Sequence, residues 1–144
     1  MEQTNGMLNT LSLHSVCSAL SYAMGIPAPK EAAAPAKALT ELVDKSFCGK
    51  KADRIFLYHP DAIAEWIFRK YSDYFQEVTK RTKLELPLRT VMPSVTPVCF
   101  GTLYTGAQPD VHGIQKYEKP VITIDTLFDA LLRAGKKPVI LAQT

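Results

Sequence analysis

Hydrophobic positions along this chain follow two periods, and the alternation between them predicts an architecture. From Thr10 to Met24 the apolar residues Leu13, Val16, Cys17, Leu20 and Met24 recur three and four apart, one face of a helix that Gly25 is placed to close. Pro27, Pro29 and Pro35 interrupt the Ala-rich stretch that runs on to Ala38, which reads as a tether. A short helix from about Ala36 to Phe47 ends at Cys48-Gly49. Arg54-Ile55-Phe56-Leu57-Tyr58 is then a β-branched and aromatic run expected to form a strand buried on both faces. Pro60 and Asp61 suit the first turn of a helix whose buried side carries Ile63, Trp66, Ile67, Tyr71, Tyr74, Phe75 and Val78. Leu84 to Val91 is a second strand candidate, which Pro87 moves towards an edge or a bulge.

Beyond it, Thr96 reads as an N-cap with Pro97 at the first helical position, and the helix continues through Phe100, Leu103 and Tyr104 to Gly106. Val121-Ile122-Thr123-Ile124 leads into Asp125, a candidate cap for a helix from Leu127 to Ala134, and Gly135 precedes a last apolar run, Pro138 to Ala142. Strands alternating with helices predict an α/β fold: a mostly parallel sheet with flanking helices and right-handed crossovers. Residues 1–50 are expected to form a helical segment with its Ala/Pro tether, and 51–144 the α/β domain. The last run ends at Gln143-Thr144, where such a sheet would continue into another helix. The chain is therefore expected to stop mid-fold, as a fragment, a truncated gene or a short natural form, and its uncovered last strand to favour self-association.

Composition narrows the function classes. The 144 residues are 47% hydrophobic, enough for one ordinary core. Lys and Arg number 17 against 14 Asp and Glu, a net charge of +3 with no long basic block, so nothing calls for a nucleic acid partner. The densest basic stretch, Lys80, Arg81 and Lys83, falls at an expected helix end, where cations complement the helix dipole; an anion-binding patch is the alternative. Cys17, Cys48 and Cys99 are odd in number and form no CxxC pair, which fits a reduced, cytoplasmic chain. Glu2 stands where a secretory leader would be basic, and no run approaches the ~18–20 apolar residues of a membrane span.

Ligands in α/β proteins bind beyond the carboxyl ends of strands, where helix N-termini offer free N–H groups and partial positive charge. His59-Pro60-Asp61 and Ser94-Val95-Thr96-Pro97 both fit that position. At the second, the helix dipole would stabilise a Thr96 alkoxide and attract a phosphate. At the first, Asp61 could hold a metal ion that lowers the hydroxyl's pKa further. The plain reading stands beside this one: Thr is a favoured cap and Asp a favoured first-turn residue, worth about 1 kcal/mol each to the helix. His59 and His112 have no second His at metal-ligand spacing and read as hydrogen-bonded structural residues, and Cys99 as a small buried hydrophobe.

The stretch from Met92 to Ile114 also resembles the nucleophile segment of the alkaline phosphatase superfamily, particularly its nucleotide pyrophosphatase/phosphodiesterase and sulfatase-like branches. There a Thr or Ser after a strand opens a helix that ends in Thr-Gly, followed by a Pro and then by His-Gly-Ile. Thr96, Thr105, Gly106, Pro109, His112, Gly113 and Ile114 stand in that register. The likeness runs from Arg54 to Leu141, with Thr126 to Lys137 similar to the family's next helix, and Leu13 to Pro29 similar to a helix these enzymes carry near the other end of the chain. It implies a partial alkaline-phosphatase-like core, Thr96 as nucleophile, and two divalent metal ions, commonly zinc, one of them held by Asp61 and Thr96.

The departures matter for what the chain does. The family's first-strand Asp is followed by Gly, whereas Asp61 is followed by Ala62; its phosphodiesterases carry Asn three residues after the nucleophile, where Cys99 stands here. The family's downstream Asp and His ligands have no counterpart in this chain. The resemblance thus implies the N-terminal part of a metal-dependent phosphate or sulfate ester hydrolase, inactive by itself, whose substrate would be a small phosphate or sulfate ester. A non-catalytic α/β interaction domain and a small anion-binding module are the alternatives.

Overall fold

A computed structural model describes residues 11–142. The stretch read for a leader and Gln143-Thr144, at which the last apolar run ends, lie outside the described residues. Helices form where local signals are strongest: α1 over His14–Met24, α2 over Lys37–Phe47, α3 over Glu65–Lys70, α4 over Gln76–Thr79, α5 over Thr96–Thr105, α6 over Pro109–His112 and α7 over Leu127–Arg133. Gly25 closes α1 and Gly106 closes α5, both in the left-handed conformation with φ of 67° and 71°. The expected capping of α7 by Asp125 is corrected: Thr126 caps it in a reciprocal box with Asp129. Asp125 instead takes both guanidinium nitrogens of Arg133, at 2.6 and 2.7 Å, and the Lys30 N–H at 3.1 Å.

The expected α/β fold with its mostly parallel sheet is overturned. The described residues are 43% helical and form no sheet, and they pair as strands only at one parallel bridge, Ser12 with Arg89. β-Propensity favours an extended backbone but does not supply a partner, and pairing is what makes a strand. The runs around Phe56, Val121 and Leu141 form no strand, and those three side chains are 86%, 88% and 92% exposed. Val91 and Ile122 instead turn their side chains into a helical core with Val98 and Ile114.

The single helix expected from Pro60 to Val78 is corrected too. It begins at Glu65 and breaks at Tyr71 into a 3₁₀ turn over Ser72–Phe75 and then α4. Among the described residues no helix outside this segment packs on it, and Trp66, Tyr74 and Val78 are exposed, so no such helix holds a long helix straight there. Beyond its end Lys80 and Arg81 pair with Glu77 at 3.0 and 2.7 Å.

The body is a helical cluster in which α5 packs against α1, α6 and α7, while α2 lies on α1. Many of its buried residues are small, among them Cys17, Ala19, Ala23, Val98, Ala107 and Ala130, beside the larger Leu103, Ile114 and Leu127. The Ala/Pro stretch is bonded into this cluster. Ala33 N–H reaches the Gly106 carbonyl at 2.8 Å, and Ala36 N–H reaches that of Ser15 at 3.0 Å. No helix among the described residues is long and apolar enough to cross a membrane.

Candidate functional site

α5 is built from its own interior outwards. Its sequence, Thr-Pro-Val-Cys-Phe-Gly-Thr-Leu-Tyr-Thr, contains no charge, and Pro97, Val98, Gly101, Thr102, Leu103 and Thr105 are buried. Burial of Val98 alone contributes roughly 1.5–3 kcal/mol. Thr105 Oγ1 donates to the Gly101 carbonyl at 2.7 Å and accepts the Ala107 N–H at 3.1 Å, which turns the chain at the end of the helix. Gly106 is needed there twice over: its φ is 71°, and a Cβ would come within 2.6 Å of the Ala32 Cβ and 3.0 Å of the Cys17 Cβ. Of the residues that stand in the register of the resemblance, Thr105, Gly106, His112 and Ile114 are buried and Gly113 is exposed.

The start of α5 is the exposed end. Val95, extended at φ −111° and ψ 151°, holds the cap position, so Thr96 is the first helical residue and its hydroxyl caps nothing. This corrects the expected cap. The cause lies one turn back, where Val95 N–H is bonded to the Pro93 carbonyl at 2.8 Å and the first helical bond runs from Cys99 N–H to the Val95 carbonyl. Thr96 is exposed, and its hydroxyl makes no hydrogen bond among the described residues. Pro97 has no N–H and Val98 is fully buried, so Thr96 is the exposed residue that carries a first-turn donor.

His59 comes against this helix. Its ring stands edge-on to Phe100 at 5.5 Å and to Tyr104 at 6.3 Å, in a row continued by Phe128 on Tyr104 at 4.8 Å. Burial there lowers the His59 pKa. Two residues on, Asp61 is exposed, and its carboxylate accepts the N–H of Ala62, whose φ of 57° kinks the loop. No hydrogen bond joins Asp61 to Thr96. Among the described residues no three His, Cys, Asp or Glu side chains gather where a metal ion could sit, so the donor set that two metal ions need is not assembled by these residues.

No protein-family model matches the chain, and no curated protein and no solved structure matches it either.

One residue of this region escaped the reading of the sequence. Gly101 lies mid-helix, where glycine costs about 1 kcal/mol against alanine, and that cost was the available signal of a packing role. The His112 ring fills the space beside it, with Nε2 3.0 Å from Thr102 Oγ1. Cys99, half-buried against Val91, Val98 and Ile114, shares a 3.3 Å contact with the Thr90 hydroxyl. Cys17 is deeper still, and burial first and Asp125 second push its thiol up to about 12, which makes it inert.

Proposed function

We propose that the chain carries the nucleophile segment of a metal-dependent phosphoric or sulfuric ester hydrolase of the alkaline phosphatase superfamily, with Thr96 as the attacking residue. The observation that supports this is the division of labour along α5. The helix is locked at its far end by the Thr105–Gly106 corner, while Thr96 stands exposed at its positive end with a hydroxyl that serves neither cap nor core. In this role the Thr96 oxygen gives up its proton to solvent and forms the bond to phosphorus or sulfur as the ester oxygen departs and takes up a proton, water then cleaves the Thr96 ester, and the Thr96 N–H at the helix start faces the charge that develops. Asp61 is the nearest residue in sequence logic to a metal ligand, and zinc would supply Lewis acidity in a complete site; no step is assigned to it, because the described residues do not form its cage. A cytoplasmic setting goes with this reading, since all three cysteines are free.

The test is hydrolysis of a generic phosphodiester, phosphomonoester and sulfate ester by the purified chain with zinc or manganese added, beside Thr96→Ala. Metal-dependent turnover that Thr96→Ala abolishes supports the reading. Turnover equal in the variant removes Thr96 from the chemistry. A second reading, a non-catalytic interaction domain that associates through its apolar runs, is favoured by the exposure of Phe56, Tyr58, Val121 and Val139 to Leu141. Absence of metal binding and turnover, together with concentration-dependent association, would favour it.

A further inference from the structure

His112 is 4% exposed, and both of its ring nitrogens are committed. The Ile114 N–H points at Nδ1 from 3.2 Å, so Nδ1 is an acceptor without a proton. The ring proton therefore sits on Nε2, which donates to Thr102 Oγ1 at 3.0 Å. A second proton has only the Nδ1 lone pair to occupy, and there it would face the Ile114 N–H, donor against donor. In a buried site that costs a hydrogen bond and leaves a donor unmatched. The ring lies against Gly101, in the space where a Cβ would come within 2.7–3.2 Å of its atoms.

What this bond holds is small and locally weak. α6 has four residues, too few to stand alone, and among the described residues α5 is the one helix it packs on. Gly113, between His112 and Ile114, has a φ of 83° and open space around it, so it can serve as a hinge. Ile114 itself is 4% exposed in the cluster with Val91 and Val98, on which Ile122 also packs.

We propose that His112 is an acid-released latch: a proton at Nδ1 frees the Ile114 N–H, withdraws Ile114 from Val91 and Val98, and loosens α6 from α5 while α5 keeps its packing on α1. The charges around it are few. α5 contributes none; its ionisable Cys99 and Tyr104 are engaged with Thr90 and with Phe100 and Phe128. On α6 the exposed Asp110 is the one carboxylate, and it favours the charged ring, as does the ring's bond to its own backbone; burial outweighs both and holds the pKa below 6.5. Release therefore lies on the acid side of the ordinary histidine range.

The test follows His112 and Ile114 together by NMR on the ¹⁵N-labelled chain: long-range imidazole ¹H–¹⁵N couplings for the tautomer, and amide exchange corrected for intrinsic rates. At neutral pH the Nε2–H pattern is expected. As His112 titrates, Ile114 protection should fall about tenfold with the same midpoint, while Gly106, whose N–H is bonded to the Thr102 carbonyl at 2.8 Å, stays protected. His112→Gln should remove the pH dependence at Ile114; if that variant does not fold, the wild-type series decides alone. An Nδ1–H tautomer at neutral pH, or Ile114 protection that is indifferent to the titration of His112, overturns the proposal.

Discussion

The imidazole of His112 occupies the space that a side chain at residue 101 would need. A Cβ on Gly101 would lie 2.7 Å from the ring Cε1 and 2.9 Å from Nδ1. Gly101→Ala improves the intrinsic helix preference by about 1 kcal/mol, yet the displaced ring should cost about 1–3 kcal/mol in an overpacked core. The net expectation is destabilisation, read as a lower midpoint in urea; a midpoint at or above wild type would mean that the ring moves freely.

Thr96→Ala is expected to leave stability within about 0.5 kcal/mol of wild type, since the side chain is exposed and caps nothing. Equilibrium unfolding checks it. A loss nearer 1–2 kcal/mol would mark Thr96 as a cap after all.

Stability should fall with acid in two separate steps. His14, by burial and then by the nearby Arg89, and His59 and His112, by burial, have pKa values below the 6.5 of an unfolded histidine. Below that value the unfolded chain binds more protons than the folded one, so stability is full above about 6.5 and declines as pH drops through the folded values. Asp125 acts lower. The Arg133 guanidinium holds its carboxyl below 3.8, so its contribution is present above that pH and is lost as pH falls through the folded value. Thermal unfolding across the pH range should show the first decline shrink in a His14→Gln chain and the second in Asp125→Asn.

Concentrated chain should self-associate through its bare apolar runs, and Phe56→Lys with Leu141→Lys should weaken that association without lowering the unfolding midpoint, because both side chains are almost fully exposed. Sedimentation velocity at two concentrations reads this directly.

Where a signal is local, the sequence was a sufficient guide. Gly25 and Gly106 end their helices because only the backbone at those residues has to turn, and α2 spans Lys37–Phe47 as its spacing predicts. The expected sheet depended on contacts between distant segments, which periodicity does not encode, and the β-rich runs at Ile55–Tyr58 and Val121–Ile124 found no partners. Thr96 and Asp125 were both placed within one residue of a helix start, but the cap went to a neighbour in each case: to Val95 through the turn at Pro93, and to Thr126 through Asp129. The loop at His59 was identified as a place for chemistry, and the aromatic contacts that bring it to α5 were not visible, since Phe100 and Tyr104 read as ordinary core positions.

The close approach of Gly106 to Ala32 constrains how this protein can vary. A methyl group at residue 106 would overlap the one already on Ala32, and the positive φ of Gly106 adds a penalty of its own. Helix α5 and the stretch from Pro29 to Ala36 are thus held by two backbones nearly in contact, with almost no side-chain volume between them to trade. Substitution at either residue is conditional on the other. Ala32→Gly should partly rescue Gly106→Ala, and sequences descended from this one should change the two positions together or leave both alone.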